Sequence, residues 1–290
     1  MVSARWRLGA ERPLNRVSRP RIVGVIPVRY GSTRFAGKAL ASIAGKTLVR
    51  HVYERAHASR SVEELVVATD DPRIADEARS FGARVVMTSP EHSCGTERVA
   101  EAASALDADI VVDLQGDEIV SDGRMLDECV EPLLKPDPPD VSTLASEITE
   151  QADVDDPNVV KVVTDLDGDA LFFSRSPIPN TTRARPDRAG AGGTAGGGLE
   201  FRFLRHVGIY AYGRDFLLGF VRLPRTPLEL AESLEQLRVL EHGRRMSVVL
   251  TRHRSLGVDT PSDVERAERF LQSLDAPGRA AGARGAEATG

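Results

Sequence analysis

IVGVIPVRYGSTRFAGK, residues 22–38, is the stretch on which the reading of the whole chain turns. The β-branched run Ile22, Val23, Val25 and Ile26 has the composition of a buried strand. It empties into a loop carrying Arg29, Gly31, Ser32, Thr33, Arg34, Gly37 and Lys38. In open α/β sheets ligands sit beyond the carboxyl ends of the strands, where small residues offer backbone N–H groups and cationic side chains neutralise an anion. Arg29, Arg34 and Lys38, spaced five and four residues apart, suit one wall of a triphosphate site. The P-loop pattern G-x-x-x-x-G-K-[ST] is not met. Five residues separate Gly31 from Gly37, and Ala39 follows Lys38 where a magnesium-binding hydroxyl belongs. A second near-match, Gly45-Lys46-Thr47, has Leu40 in place of the first glycine. An ordinary basic surface loop shares this composition, so the choice falls to the rest of the chain.

The 290 residues suffice for a full core. A net charge of −5, with 28% charged and 41% hydrophobic residues, marks a soluble globular protein without the basic footprint of a nucleic-acid binder. Cys94 and Cys129 are the only cysteines and show no C-x-x-C spacing, which excludes a disulfide framework and a zinc site and fits a reducing cytoplasm. The first 20 residues are basic but lack the apolar stretch of a secretory signal, and no run reaches membrane-spanning length. Residues 1–20 read as a disordered extension, 21–275 as the folded domain, and the Ala/Gly/Arg-rich 276–290 as a disordered tail.

Beyond the basic loop, Leu48, Val52 and Ala56 give a helical stripe, and Leu65–Ala68 a buried strand. Asp71-Pro72 starts a helix that Gly82 stops, and residues 83–87 form the next strand. Strands alternating with helices of this length imply a mostly parallel sheet flanked by helices. A polar loop, Glu91 to Arg98, feeds a further helix, and the strand Ile110–Leu114 ends in Gln115-Gly116-Asp117-Glu118. A carboxylate on that rim suits magnesium, which needs few protein ligands beside phosphate oxygens; an Asp-capped turn reads equally well from the local sequence. Residues 141–212 break the alternation. Val159–Thr164 and Ala170–Phe173 flank the turn Asp165-Leu166-Asp167-Gly168, a β-hairpin expected in a subdomain laid over the site. The Gly-rich 183–198 has the composition of a mobile loop. His206 and Tyr210 lie on a strand-like segment, where a single histidine is ordinarily structural. Thr226-Pro227-Leu228-Glu229 is a capping box expected to open one helix to about His242, with Leu230, Leu234 and Leu237 on its apolar face. Glu229, Glu232 and Gln236 fall on another face, toward a polar cavity or solvent. Met246–Leu250 reads as a strand, and Gly257-Val258-Asp259-Thr260-Pro261 precedes a last helix.

Nine blocks, RYGSTRFAGK, VVATDD, CGTER, QGDE, NVVKVV, FFSRSPIP, RHVGIYAY, PLELAESLEQLRVL and GVDTPSDVERA, stand in the order found in the 3-deoxy-manno-octulosonate (Kdo) cytidylyltransferases. From about Arg21 to Leu274 the chain resembles that family. The resemblance implies a GT-A-like, Rossmann-related nucleotidyltransferase that moves CMP from CTP to Kdo and releases pyrophosphate. It implies phosphate binding by Arg29, Ser32, Arg34 and Lys38, nucleoside contacts from Gly95, Thr96, Glu97, Arg98 and Gln115, and magnesium on Asp117 and Asp259. A sugar-acid pocket of Arg175, His206, Tyr210, Glu232 and Gln236, and a homodimer joined through the hairpin region, follow in the same way. The chain departs from the family pattern at Cys94 (commonly serine), Ile119 (proline) and Asn180 (aromatic). The last borders the acceptor side, and relatives of the family transfer CMP to small phosphonates such as phosphonoformate, which leaves that acceptor as the alternative. A GT-A-like glycosyltransferase normally carries a D-x-D metal motif, and the D-x-D Asp167-Gly168-Asp169 falls in the expected hairpin turn, the wrong place for it.

Overall fold

The computed structural model describes residues 19–31, 35–181 and 201–275. The expected extension up to residue 18, the loop residues Ser32 and Arg34, the Gly-rich 183–198 and the tail from 276 lie outside the described residues. In chain order the first elements are β1 (Ile22–Val28), the short hairpin β2 (Ser42–Ile43) and β3 (Lys46–Thr47), α1 (Leu48–Ala56), β4 (Glu64–Thr69), α2 (Pro72–Ser80), β5 (Arg84–Met87), α3 (Gly95–Ser104) and β6 (Ile110–Leu114). Then come β7 (Glu118–Val120), α4 (Arg124–Val130), β8 (Val141–Glu147), α5 (Gln151–Asp155), β9 (Lys161–Thr164), β10 (Ala170–Ser174) and β11 (Leu204–Gly213). The remainder is α6 (Arg214–Phe220), α7 (Pro227–Glu232), α8 (Leu237–Glu241), β12 (Met246–Leu250), β13 (Ser255–Gly257) and α9 (Asp263–Asp275).

The alternating first half folds as its periodicity requires. β1 pairs in parallel with β4 on one side and β6 on the other, and β5 continues the parallel set beyond β4. All seven residues of β1 are buried because helices cover both faces of the sheet at its centre. Odd and even positions feed two separate cores. Ile22, Ile26 and Val67 pack with Leu48 and Val52 of α1, Ile74 of α2, Met125 of α4 and Leu271 of α9. Val23, Val25 and Val111 pack on the other face with Val99 and Ala103 of α3, Phe216 and Phe220 of α6, and Leu237 of α8. The expected cap of α2 forms, Asp71 Oδ1 accepting the Arg73 N–H at 2.9 Å.

The β-rich region continues the central sheet: β11 pairs antiparallel with β6, and β8, β9, β10 and β12 extend the same nine-stranded sheet from there. The hairpin β9–β10 forms as read, with Gly168 at φ +86° in its turn. One expectation is corrected: the single helix from Thr226 to His242 is broken into α7 and α8, since Ser233 adopts φ 53°, a left-handed conformation that no helix continues through. Leu230 stands 59% exposed, while Leu234 and Leu237 lie in the core. The capping box itself holds, Glu229 Oε2 accepting the Thr226 N–H at 3.2 Å.

Candidate active site

Beyond the carboxyl ends of β1 and β6 lies a cavity of about 230 Å³. Pro27, Val28 and Arg29 at the end of β1, Lys38 and Ala39, His92, Cys94, Gly95 and Arg98 around the start of α3, Gln115 to Asp117 after β6, and Asp259 line it. The two strand ends meet tightly: a Cβ on Gly116 would stand 2.7 Å from Val28 Cγ2 and 2.9 Å from the Pro27 carbonyl, so only glycine fits there. Gly37, at φ +70°, closes the basic loop by donating its N–H to Tyr30 O at 2.9 Å, and the Arg73 guanidinium covers the Tyr30 ring at 3.4 Å.

Asp117 and Asp259 come together through a small ladder that the sequence reading missed. β7 and β13 pair antiparallel with Gly257 opposite Glu118, and the Val258 N–H donates to Asp117 O at 2.9 Å. Both carboxylates then converge on one ammonium. Lys38 Nζ donates to Asp117 Oδ2, to Asp259 Oδ1 at 3.1 Å and to the Val258 carbonyl at 3.2 Å. Behind the rim, burial pushes the Glu118 carboxyl up to about 7.

The residues expected to face the nucleoside cluster at the first turn of α3. A Cβ on Gly95 would stand 2.7 Å from Gln115 Oε1, so a larger residue there would displace the Gln115 carboxamide. Gln115 donates Nε2–H to Asp113 Oδ1 at 2.8 Å. Arg98 is buried, bonded to Thr88 and paired with Asp70 at 3.2 Å. Thr96 and Glu97 brace the loop rather than line the cavity: Thr96 Oγ1 donates to Glu235 Oε2 at 2.6 Å, and Glu97 Oε2 accepts the Ser93 N–H at 2.7 Å. The departure Cys94 is a thiol and no nucleophile, since burial, then the Glu235 charge, pushes it up to about 12.

The residues expected around a sugar acid do not line this cavity. They gather in two groups on the antiparallel half of the sheet. Arg175 and Glu232 hold one another: the Arg175 backbone N–H and the Ser174 hydroxyl donate to the Glu232 carboxylate at 2.9 and 2.7 Å, and Arg175 Nε donates back to the Glu232 carbonyl at 2.9 Å. Next to them, Lys161 is fully buried and gives its three protons to the carbonyls of Asp156, Val159 and Arg175 at 2.9, 2.7 and 2.6 Å. His206 and Tyr210 form the second group, their rings 5.4 Å apart. Burial pushes the His206 imidazole down to about 3, so it is neutral, and its Nε2 lies 3.0 Å from Thr143 Oγ1. Gln236, also buried, follows Glu235, which links both halves: Arg238 forks onto Glu229 at 2.7 and 2.5 Å and reaches Glu235 Oε1 at 3.3 Å.

Three residues of this region lay outside the sequence reading. His92 lines the cavity with Nε2 2.5 Å from Glu101, and its polar loop was the available signal. Asp113 sits at an inward position of an apolar strand, itself a signal of a buried polar role. Glu235 had no signal, being one glutamate among several.

Comparison with known proteins agrees with this architecture. The family model for cytidylyltransferases matches residues 23–246. A 3-deoxy-manno-octulosonate cytidylyltransferase of Geobacter metallireducens is 52% identical over 254 residues, 86% of this chain and 99% of that one. That of Geobacter sulfurreducens is 52% identical over 251 residues, covering 87% and 99%. Among solved structures, a CMP:2-keto-3-deoxy-manno-octonic acid synthetase complexed with CTP superposes with a TM-score of 0.78 at 39% identity, covering 87% of this chain and 99% of that one. No helix among the described residues is long and apolar enough to cross a membrane. With the nucleotidyltransferase sheet, the basic loop after β1 and the paired aspartates in place, the chain belongs to the cytidylyltransferase family, among the 3-deoxy-manno-octulosonate cytidylyltransferases.

Proposed function

We propose that the protein transfers CMP from CTP to Kdo with release of pyrophosphate, using magnesium held by Asp117 and Asp259. The observation that carries this reading is the convergence of those two carboxylates on Lys38 at the rim that Arg29 and the start of α3 share. Relatives 52% identical are named for transfer to this acceptor, which favours Kdo over a phosphonate. The donor set suits a hard cation, since Asp117, Asp259 and the Val258 carbonyl already surround one positive centre with oxygen. Among the described residues no third carboxylate or histidine joins them, and magnesium takes one or two carboxylates with substrate phosphates and water. Magnesium, when bound, neutralises charge at the α-phosphate and lowers the pKa of the attacking hydroxyl.

The anomeric hydroxyl oxygen of the acceptor bonds to the α-phosphorus as the bond to the bridging oxygen of pyrophosphate breaks, so the protein mainly positions and neutralises. Arg29 and Lys38, with Ser32 and Arg34 of the same loop, stabilise the charge that grows on pyrophosphate. Gly95, Arg98 and Gln115 bound the nucleoside, Thr96 and Glu97 holding that turn in place. Arg175, its Nε and Nη1 held by the Glu232 and Pro157 carbonyls, supplies positive charge for the acceptor carboxylate, and His206, Tyr210, Glu232 and Gln236 shape the sugar-acid side. The working unit is a cytoplasmic homodimer, which light scattering on the purified chain tests. Pyrophosphate release from CTP and magnesium, with Kdo in one reaction and phosphonoformate in another, tests the chemistry. Release with Kdo alone is expected. Release with phosphonoformate alone would overturn the acceptor, and release with neither would overturn the transfer.

A further inference from the structure

Asp113 is the one acid of β6, 0% exposed, on the face that packs against α3. Its Oδ1 accepts the Gln115 Nε2–H at 2.8 Å, while its Oδ2 has no hydrogen-bond partner among the described residues. Gln115 in turn lies so close to Gly95 that a Cβ there would stand 2.7 Å from Oε1 and 3.1 Å from Nε2. The carboxamide is therefore wedged between the sheet and the first turn of α3, where it lines the cavity. We propose that Asp113 is a positioning residue, which pins the Gln115 carboxamide against Gly95 and so fixes the nucleoside-facing floor of the cavity. The inference rests on the reading of this cavity as the CTP site.

The chemistry of the pin follows from its surroundings. An ionised carboxylate buried without a cation is costly, and the charged groups that bear on Asp113 are themselves acids, Glu235 and Asp117. Burial, then the Glu235 charge, holds the Asp113 carboxyl well above the usual range. A neutral carboxylic acid still accepts one N–H through its carbonyl oxygen, and an asparagine carboxamide does the same in the same shape. Asp113→Asn is thus the conservative replacement, whereas Asp113→Ala removes the acceptor and frees the Gln115 amide to turn.

The test is the CTP dissociation constant of the full chain by titration calorimetry, with thermal melting run on every variant. Wild type and Asp113→Asn are expected to bind CTP within about twofold of one another. Asp113→Ala and Gln115→Ala are each expected to weaken CTP binding about fivefold to tenfold, the scale of one hydrogen bond. The double variant Asp113→Ala/Gln115→Ala should be no weaker than Gln115→Ala, since a pin has no effect once its partner is gone. Should Asp113→Ala fail to fold, Asp113→Leu keeps the branched shape, in a somewhat larger volume, without the acceptor and should show the same loss. Additive losses in the double variant, or CTP binding by Asp113→Ala or Asp113→Leu equal to wild type, would overturn the inference alone. A folded wild type that binds no CTP would overturn the nucleotide reading and this inference with it.

Discussion

Lys38 and Lys161 stand in two regions of the molecule and answer the same problem, a lysine ammonium withdrawn from water, in opposite ways. At the rim, Lys38 keeps 15% side-chain exposure and is satisfied mainly by two carboxylates, themselves 32% and 48% exposed. In the antiparallel half, Lys161 is fully buried and satisfied by three backbone carbonyls. Carboxylate partners can be exchanged for other anions or shared with another cation, because each remains solvated on one side. Carbonyls committed by the backbone cannot move away without unfolding the turn at 156–159 and the end of β10. The first arrangement belongs to a site and the second to a scaffold.

That contrast breaks most severely at the acids. Asp117→Asn and Asp259→Asn are each expected to lower turnover on the order of a thousandfold while changing the unfolding free energy by less than about 1 kcal/mol, as exposed ion pairs do. A near wild-type rate in either variant would remove that aspartate from the metal site. The lysines sharpen the same division. Lys161→Met leaves three carbonyls without a donor and should cost about 3 kcal/mol in denaturant unfolding. Lys38→Met should cost less than about 1 kcal/mol and instead depress turnover on the order of a hundredfold. Equal destabilisation by the two would erase the distinction. His206 gives the smallest effect. Its folded pKa, about 3, lies below the ordinary 6.5 because of burial, so the unfolded chain binds the proton first. Its contribution is complete above pH 6.5 and is lost as pH falls through that value toward 3, about 2 kcal/mol by pH 5. His206→Gln should flatten the acid limb of stability over pH 6.5 to 5, and an unchanged slope would show that the ring is reached by water.

The parallel half was legible because its strands are continuous β-branched runs and its helices carry ordinary stops: Asp71-Pro72 and Gly82 behave as their chemistry demands. The antiparallel half was less so. β8 is buried along most of its length, which blurs its alternation, so β8 to β11 do not read as continuations of the parallel set. The break at Ser233 was hidden because serine carries no strong preference for a positive φ; tertiary contacts impose it, Glu232 on one side being bound to Ser174 and Arg175. At the site, strand-end chemistry located Lys38 and Asp117, since both follow apolar strands. Asp259 reached the same place only through family resemblance, because a three-residue ladder has no pattern long enough to read. Thr96 and Glu97 show the converse: the structure gives their side chains loop-bracing hydrogen bonds that no motif pattern could reveal.

The ladder of β7 and β13 also sets a schedule for synthesis. The basic loop is synthesised first and Asp117 next, but Asp259 emerges only after β13. Domains fold as units while the chain is still being extended. A chain interrupted before β13 therefore lacks one of the two carboxylates on which the proposed transfer depends.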